Sequence, residues 1–335
     1  DPDLGYEYTS KGNLVGVISN GSAVLGLGDI GAQASKPVME GKGVLFKRFA
    51  DIDVFDIELD FDEPSDIVTA TKAMEPTFGG INLEDIAAPK CFRILSRLKT
   101  ESTIPVFHDD QDGTAIVTLA ALINAARLRG QDIQDSRVVI NGAGAAGVAI
   151  SRLLLHYGAK EIVLLDSQGA IYKDRQDLNS AKQDMAEHTN INRKTGDLAK
   201  VIADMDIFIG VSLGNMVTLE MVRSMNDNPI VLAMANPVPE IYPEEAQKGG
   251  AFITGTGRSD YSNQINNALV FPGIFRGLLD ICSGREDFPM PDARINVKAA
   301  EAIANTVTPT PNKILPDIMD KRAVEAIQQA LQQQC

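Results

Sequence analysis

The feature that most constrains the fold is a glycine-rich turn that lies between two apolar runs. Residues 138–141 (VVIN) predict a buried strand, GAGAAG follows directly at 142–147, and a helical pattern covers Ala145–Tyr157. The next apolar run, 161–166 (EIVLLD), predicts a second strand that ends in Asp166. A strand, a Gly-x-Gly-x-x-Gly turn, a helix and a strand in this order are typical of a Rossmann-type nucleotide-binding unit.

Each part of this unit is suited to a dinucleotide. Gly142, Gly144 and Gly147 allow the backbone N–H groups at the start of the helix to approach a pyrophosphate. Asp166 lies where a carboxylate accepts hydrogen bonds from the adenosine ribose. An ordinary tight turn is the alternative, but the preceding strand and the acid after the next strand favour a nucleotide site.

A second Gly-x-Gly-x-x-Gly match, formed by Gly26, Gly28 and Gly31, lacks this context. Only Ala-Val-Leu precedes it, and the predicted helix that follows does not begin at its third glycine. We interpret this segment as a loop whose backbone comes close to the substrate, with a purely structural turn as an equal alternative. A second nucleotide site is not predicted here.

The rest of the chain alternates apolar strands with helices, which predicts an α/β protein. The predicted strands outside the nucleotide unit are 13–19, 52–59, 104–107, 206–212, 229–236 and 251–256. The predicted helices are 38–49, 66–74, 86–99, 113–128, 196–204, 218–225, 266–281 and 297–306. Continuous apolar strands alternating with helices indicate a doubly wound parallel sheet that is covered on both faces.

The length indicates more than one domain, because 335 residues exceed a typical single core. We predict a Rossmann-type NAD(P)-binding domain at residues 130–280. A smaller α/β domain at 1–129 would bind metal and substrate, and C-terminal helices at 281–335 would pack back on this first domain.

Two pairs of adjacent acids precede the nucleotide motif. Glu84-Asp85 and Asp109-Asp110 each follow a short apolar run. Paired carboxylates repel each other unless a cation lies between them, and hard cations such as Mg²⁺ and Mn²⁺ prefer oxygen ligands. Capping of the two helices that follow is the alternative, but capping accounts for one acid per helix better than for two. A metal site beside a nicotinamide site predicts metal-assisted oxidation of a hydroxy acid.

Four further polar residues are candidates for the chemistry. Lys42 lies between two glycines, and desolvation would lower its pKa towards the range of a general base, although an ordinary solvated lysine is favoured on sequence alone. His108 directly precedes the second acidic pair and would either react or orient the acids. Asn236 follows a predicted strand and Asn267 opens a helix, which are ligand-binding positions in parallel sheets, although turn chemistry alone would also explain them.

Taken in order, these motifs resemble the malic enzymes, in particular their compact bacterial type. The resemblance covers residues 8–280 and is carried by SNGSAVLGLGDIG, MEGKGVLFKRFADIDVFDIEL, PTFGGINLEDI, PVFHDDQDGTA, GAGAAG, ANPVPE and TGRSDYSNQINNALVFPG. It implies the oxidative decarboxylation of (S)-malate to pyruvate and CO₂, with NAD or NADP and with Mg²⁺ or Mn²⁺.

The resemblance also implies a role for each matched residue. Lys42 is the general base and Asp109 pairs with it. Asn267 contacts the substrate. The implied metal ligands are Glu84, Asp85 and Asp110, and the implied nucleotide contacts are Gly142, Gly144, Ala145, Ala146, Gly147, Asp166 and Asn236.

Three departures from the family pattern accompany this match. The general-acid tyrosine of a YTPGVA-like or YSPGVA-like segment has no counterpart here, since Tyr6 and Tyr8 do not match it. Either the sequence omits an N-terminal segment or this form lacks that acid. Asp112 replaces a usual histidine and adds negative charge near the metal, and Ser262 replaces a common proline.

The cofactor preference predicted from the sequence is slight. The Asp166 carboxylate would repel a 2′-phosphate, which favours NAD. Lys173 or Arg175 would instead reach such a phosphate and favour NADP.

Composition excludes several other classes. The net charge of −14 and the lack of a basic run argue against nucleic acid as a partner. Three scattered cysteines argue against a disulfide framework, no apolar run is long enough to span a bilayer, and no export signal begins the chain. We therefore expect a cytoplasmic protein with no membrane partner. The family resemblance implies in addition a homodimer that acts on malate or pyruvate.

Two alternatives stay open at this stage. The same site would support a malolactic-type or oxaloacetate-decarboxylating activity without net redox output. The chain would otherwise be a binding module that holds nucleotide and metal without turnover.

Overall fold

The fold was determined from a computed structural model that describes residues 4–282 and 290–333. The strands are β1 (Leu14–Ser19), β2 (Asp53–Glu58), β3 (Gly80–Glu84), β4 (Val106–His108), β5 (Arg137–Asn141), β6 (Glu161–Asp166), β7 (Gly169–Ala170), β8 (Ile207–Gly210), β9 (Ile230–Ala233) and β10 (Ile253–Thr256). The α-helices are α1 (Leu4–Tyr8), α2 (Gly31–Ala50), α3 (Pro64–Met74), α4 (Lys90–Glu101), α5 (Thr114–Arg129), α6 (Ala145–Tyr157), α7 (Ser180–His188), α8 (Leu198–Val201), α9 (Leu219–Arg223), α10 (Pro243–Lys248), α11 (Phe271–Cys282), α12 (Ala293–Ala304) and α13 (Arg322–Gln332). Short 3₁₀ turns cover Ser10–Asn13, Ile133–Asp135 and Asn267–Leu269, and a π-helical turn covers Asp109–Gly113.

The chain divides into two compact units. The first takes the described residues of 1–113, 267–303 and 317–335, and the second takes 114–266 and 304–316. The first boundary was predicted after residue 129 but falls after residue 113, because α5 packs with α6 of the second unit. The second was predicted after residue 280 but falls after residue 266, because α11 packs with α2 and α13 of the first unit. The predicted C-terminal segment 281–335 includes residues 283–289 and 334–335, which lie outside the described residues.

The sheet of the first unit is parallel and has the strand order β2-β1-β3-β4. The chain moves from β1 outwards to β2 and then crosses back to β3, so the connections leave the C-terminal edge in opposite directions on either side of β1. The register pairs Ser19 with Glu84 and Leu83 with His108 at this edge. Ligands bind at such a position in parallel α/β sheets.

The sheet of the second unit has the order β10-β9-β8-β5-β6-β7, with all strands parallel except β7. The strand order reverses between β5 and β8, and the glycine turn at 142–147 follows β5 at this point. The predicted fold class, a Rossmann-type doubly wound sheet plus a smaller α/β domain, is confirmed.

Helix α2 begins earlier than predicted, at Gly31 rather than at residue 38. The prediction that no helix begins at the third glycine of the first motif is therefore wrong. Pro37 obscured the helical pattern, but a buried stripe with a spacing of three to four residues outweighs this local cost. The stripe consists of Ser35, Met39, Lys42, Phe46 and Phe49.

No helix in the described part of the chain is both long and apolar enough to cross a lipid bilayer.

Candidate metal and nucleotide sites

The two acidic pairs meet at the C-terminal edge of the first unit's sheet. Glu84 is the last residue of β3, and Asp85 follows it with a φ of 51°. Asp109 and Asp110 open the π-helical turn that directly follows β4, the neighbour of β3. Capping does not explain the first pair, because α4 begins only at Lys90 with Pro89 as its N-cap.

Three of these acids have the geometry of a cation site. Glu84, Asp85 and Asp110 each offer one oxygen, and these oxygens all lie within 4.8 Å of one another. Burial raises the pKa of Glu84 to about 7, that of Asp85 to about 8 and that of Asp110 to about 6. Because buried carboxylates with oxygen-only donors suit a hard divalent cation, the residues present fit Mg²⁺ or Mn²⁺.

Lys42 reaches this cluster from the buried stripe of α2. Its Nζ lies 2.5 Å from Glu84 Oε2 and donates a hydrogen bond to Asp109 Oδ2. The side chain is only 8% exposed. Burial lowers the pKa of Lys42, but Asp109 and Glu84 together more than offset this effect, so the pKa is raised above its usual value. The expectation that the pKa of Lys42 falls towards the range of a general base is therefore wrong, because Glu84 and Asp109 outweigh the effect of desolvation.

Asp109 and Asn267 are brought to the same place by tight packing. Asp109 is fully buried, and a Cβ at Gly113 would overlap its Oδ1 atom, so the turn requires glycine at 113. A Cβ at Gly113 would also lie 3.4 Å from the Cβ of Asn267, which opens the 3₁₀ turn before α11. The substrate residue implied by the resemblance thus lies beside the turn that carries Asp109 and Asp110.

His108 lies buried beside Asp110. Its ring is fully buried, and neither ring nitrogen has a hydrogen-bond partner within the described chain. Its Nδ1 lies 3.7 Å from Asp110 Oδ2. Burial lowers the pKa of His108 to about 3, so the ring is neutral at physiological pH.

Asp112 is paired rather than free. Its Oδ2 lies 2.9 Å from Lys99 Nζ, and its Oδ1 accepts a hydrogen bond of 3.1 Å from Asn296 Nδ2. Lys99 therefore offsets the negative charge that the sequence predicted at this position. Neither Lys99 nor Asn296 was found by sequence reasoning, since both lie outside the matched motifs.

The raised carboxyl pKa values predict that metal affinity rises with pH. The protons of Glu84, Asp85 and Asp110 must leave before their oxygens bind a cation, and their pKa values lie at about 7, 8 and 6. We expect the apparent Kd for Mn²⁺ to fall by about tenfold per pH unit for each proton released as pH rises from about 6 to about 8. Calorimetry in buffers of different ionisation enthalpy measures both the Kd and the proton count. A Kd that is constant over this range, with no proton release, would contradict the buried cluster.

The glycine turn of the second unit is closely packed. Gly142 has a φ of 122°, and a Cβ there would lie 2.6 Å from the Val211 carbonyl oxygen. A Cβ at Gly147 would overlap the Gly142 carbonyl oxygen, whereas the space around Gly144 is open. Gly144 is the N-cap of α6 and has no side-chain acceptor. The first N–H groups of the helix, at Ala145 and Ala146, are thus suited to a pyrophosphate, and the turn fits a dinucleotide.

Asp166 is bonded to two cationic side chains at the end of β6. Its carboxylate accepts hydrogen bonds of 2.8 and 2.9 Å from Arg175 Nη2 and one of 2.6 Å from Lys182 Nζ. Burial raises the pKa of Asp166, but these bonds outweigh it and lower the pKa overall. Lys173 instead pairs with Glu187 on the surface. Lys182 was missed because it lies on α7, which the sequence pattern did not predict.

Glu240 joins the loops that follow β8 and β9. Its carboxylate accepts hydrogen bonds of 3.0 Å from the Ser212 N–H and 3.1 Å from the Ala235 N–H. It is fully buried, which raises its pKa. Asn236 directly follows Ala235, so Glu240 fixes the loop that carries this predicted cofactor residue. The motif ANPVPE includes Glu240, but sequence reasoning gave it no role.

Comparisons with known proteins identify similar chains and structures. The family models "Malic enzyme, N-terminal domain" and "Malic enzyme, NAD binding domain" match residues 5–99 and 111–331. The bifunctional malic/malolactic enzyme of Bacillus subtilis is 53% identical over 97% of this chain and 79% of its own length. An NADP-dependent malic enzyme of Haemophilus influenzae is 54% identical over 84% of this chain and 37% of its own length. The crystal structure of an NAD-dependent malic enzyme from Thermotoga maritima has a TM-score of 0.95 and 47% identity, over 99% of this chain and 87% of that one.

Proposed function

This chain belongs to the malic enzyme family, and we propose that Lys42 and the acidic cluster at the edge of its first sheet carry out the family's reaction. The chain is an NAD(P)-dependent malic enzyme, which oxidatively decarboxylates malate to pyruvate and CO₂. One observation carries the residue assignment: a buried ammonium contacts Glu84 and Asp109 beside a set of oxygens within 4.8 Å of one another.

Each residue has a defined task in this proposal. Lys42 Nζ in its neutral form accepts the proton of the C2 hydroxyl while C2 is oxidised, and Asp109 stabilises the ammonium that forms. A divalent cation held by Glu84, Asp85 and Asp110 would offset the carboxylate charge that raises the pKa of Lys42, and so would favour this neutral form. The β-keto acid then loses its distal carboxylate as CO₂, and the electron pair of the broken C3–C4 bond passes towards the C2 carbonyl. The resulting enolate takes up a proton at C3 from solvent to give pyruvate. Glu84, Asp85 and Asp110 would hold a divalent cation, which would supply Lewis acidity for the substrate oxygens, and a nicotinamide bound at the glycine turn would supply the hydride acceptor.

Product stoichiometry tests this function. Malate with NAD or NADP and Mn²⁺ should give pyruvate, CO₂ and reduced nicotinamide in equal amounts, and a chelator should stop all three. Formation of reduced nicotinamide without CO₂, or no turnover with either nucleotide, would contradict the proposal.

A malolactic activity is the second candidate, because a relative that is 53% identical is named a bifunctional malic/malolactic enzyme. The same residues would then decarboxylate malate to lactate, with no net release of reduced nicotinamide. Lactate formed from malate, measured beside the reduced nicotinamide, separates the two outcomes.

The structure alters the argument about cofactor preference. The slight preference for NAD rested on repulsion between the Asp166 carboxylate and a 2′-phosphate, and Arg175 and Lys182 offset that negative charge. We propose instead that Lys182 helps to accept a 2′-phosphate. Lys182→Ala should lower kcat/KM for NADP by about 10- to 100-fold, the value of a charged hydrogen bond, and change that for NAD by less than about threefold.

Steady-state kinetics with both nucleotides checks this prediction. Lys173→Ala is the matched control, because Lys173 pairs with Glu187 and not with Asp166. An equal loss for both nucleotides in the Lys182 variant would show that Lys182 only supports the fold of this loop.

The homodimer implied by the family resemblance and the cytoplasmic location expected from the cysteine pattern stay predictions. Neither the sheet topology nor the comparisons bear on them.

A further inference from the structure

Lys42 has an aromatic contact that the carboxylates do not explain. Its Nζ lies 4.3 Å from the centroid of the Phe271 ring. Phe271 is the first residue of α11 and is 1% exposed, so this contact is shielded from water. A cation over a desolvated aromatic face is attracted by the ring quadrupole, which adds to the pull of the acids.

The Phe271 ring is held rigidly by other aromatic side chains. Its centroid lies 4.7 Å from that of Phe46, which is one helical turn after Lys42 on α2. Phe46 in turn packs at 5.4 Å against Phe275, one turn further along α11. The packing of Phe46 on α2 against Phe271 and Phe275 on α11 therefore fixes both Lys42 and the Phe271 ring.

We propose that Phe271 is a positioning residue, whose ring fixes the Lys42 amine where it can take the substrate proton. This inference rests on the proposed role of Lys42 as the base. Lys42 Nζ pairs with both Glu84 and Asp109. A long lysine side chain can keep such ion pairs in more than one rotamer, so the two acids alone do not fix the position of the amine. The ring restricts this choice, since a move away from its face loses a buried cation–π contact.

Replacing Phe271 with leucine tests the electrostatic effect of the aromatic ring separately from the space that the side chain fills. Phe271→Leu keeps an apolar side chain but has no aromatic face. We expect it to lower kcat for malate oxidation by about 10- to 100-fold, as a misplaced catalytic group does. KM for malate and the decarboxylation of added oxaloacetate, which needs no hydroxyl deprotonation, should each change by less than about threefold. Phe271→Tyr, which keeps the face, should retain most of the activity.

Phe275→Leu is the matched control. It makes the same change in the same aromatic cluster, but the Phe275 ring packs against Phe46 and Phe107 and lies one ring further from Lys42. Phe275→Leu should therefore lower kcat several-fold less than Phe271→Leu does. The Tm of thermal unfolding, measured for both variants, shows how much stability each one loses through poorer packing. If Phe271→Leu does not fold, Phe271→Met provides an unbranched replacement that repacks more easily.

The outcomes are distinct. Equal losses in Phe271→Leu and Phe275→Leu, or equal losses of oxidation and decarboxylation in Phe271→Leu, would overturn the positioning role. Lys42→Ala is assayed beside them. If that variant still oxidises malate like wild type, the role of Lys42 fails and the proposed function must be revised, independently of Phe271.

Discussion

Replacing Lys42 with alanine is expected to lower kcat for malate oxidation by about 10²- to 10⁴-fold, the usual contribution of a general base. The buried amine is held by Glu84 and Asp109, so no other lysine in the described structure replaces it there. Decarboxylation of added oxaloacetate should be largely retained, because it needs no removal of a hydroxyl proton. Coupled assays of reduced nicotinamide and of pyruvate measure the two steps separately.

Lys47→Ala is the control for this prediction. Lys47 lies on the same helix but is exposed and pairs with Asp51 and Asp53. Its replacement should leave both activities near wild type. If Lys42→Ala slowed decarboxylation as strongly as oxidation, Lys42 would be holding the site together rather than accepting the proton.

Asp110→Asn should weaken Mn²⁺ binding by at least about 100-fold and abolish metal-dependent turnover, because two carboxylates remain where three converge. Asparagine keeps the size of the side chain and its acceptor for the Asp85 N–H, which donates to Asp110 Oδ2 over 2.9 Å. The glycine turn of the second unit is not part of this cluster, so the Kd for NAD or NADP should be unchanged. Calorimetry with Mn²⁺ and nucleotide fluorescence report the two affinities.

Glu75→Gln controls for the loss of a buried acid in the same unit. Its carboxylate accepts hydrogen bonds from Thr103 and lies outside the cluster. This variant should lose some stability but keep its affinity for Mn²⁺. An Asp110→Asn protein with wild-type Mn²⁺ affinity would remove Asp110 from the metal site.

The segment of the nucleotide-binding unit from β5 to β6 was predictable almost residue by residue. Helix α6 and strand β6 begin and end as the sequence indicated. This agreement has a local cause, since an apolar strand, a glycine turn and an amphipathic helix each carry their own signal and all of them favour the same fold.

The first unit was less predictable because its site overrides local rules. Strand β3 was missed, since Asn82 and Glu84 are polar residues inside a fully buried strand. The sequence alone favoured a solvent-exposed side chain at Lys42. Only the three-dimensional arrangement shows that acidic side chains surround it. Helix α2 carries glycine on both sides of this lysine and Pro37 two residues before Met39, which weakened its signal.

The acidic pairs were predicted as a group, but their supporting residues were not. Phe271, Glu240 and Lys182 each contact a predicted residue or the loop that carries one. They lie at separations along the sequence that no periodic pattern encodes. Supporting residues of this kind are visible only once the fold has brought them together.

The buried Glu240 carboxylate also limits how this protein can vary. A Cβ at Gly210, the last residue of β8, would overlap the Glu240 carboxyl group. A side chain at 210 would therefore require a smaller residue at 240, and a smaller residue at 240 would leave the Ser212 and Ala235 N–H groups without their acceptor. Substitutions at positions 210 and 240 are thus coupled, because a change at either one alone is unfavourable. A redesign of the cofactor loops must replace both residues at once.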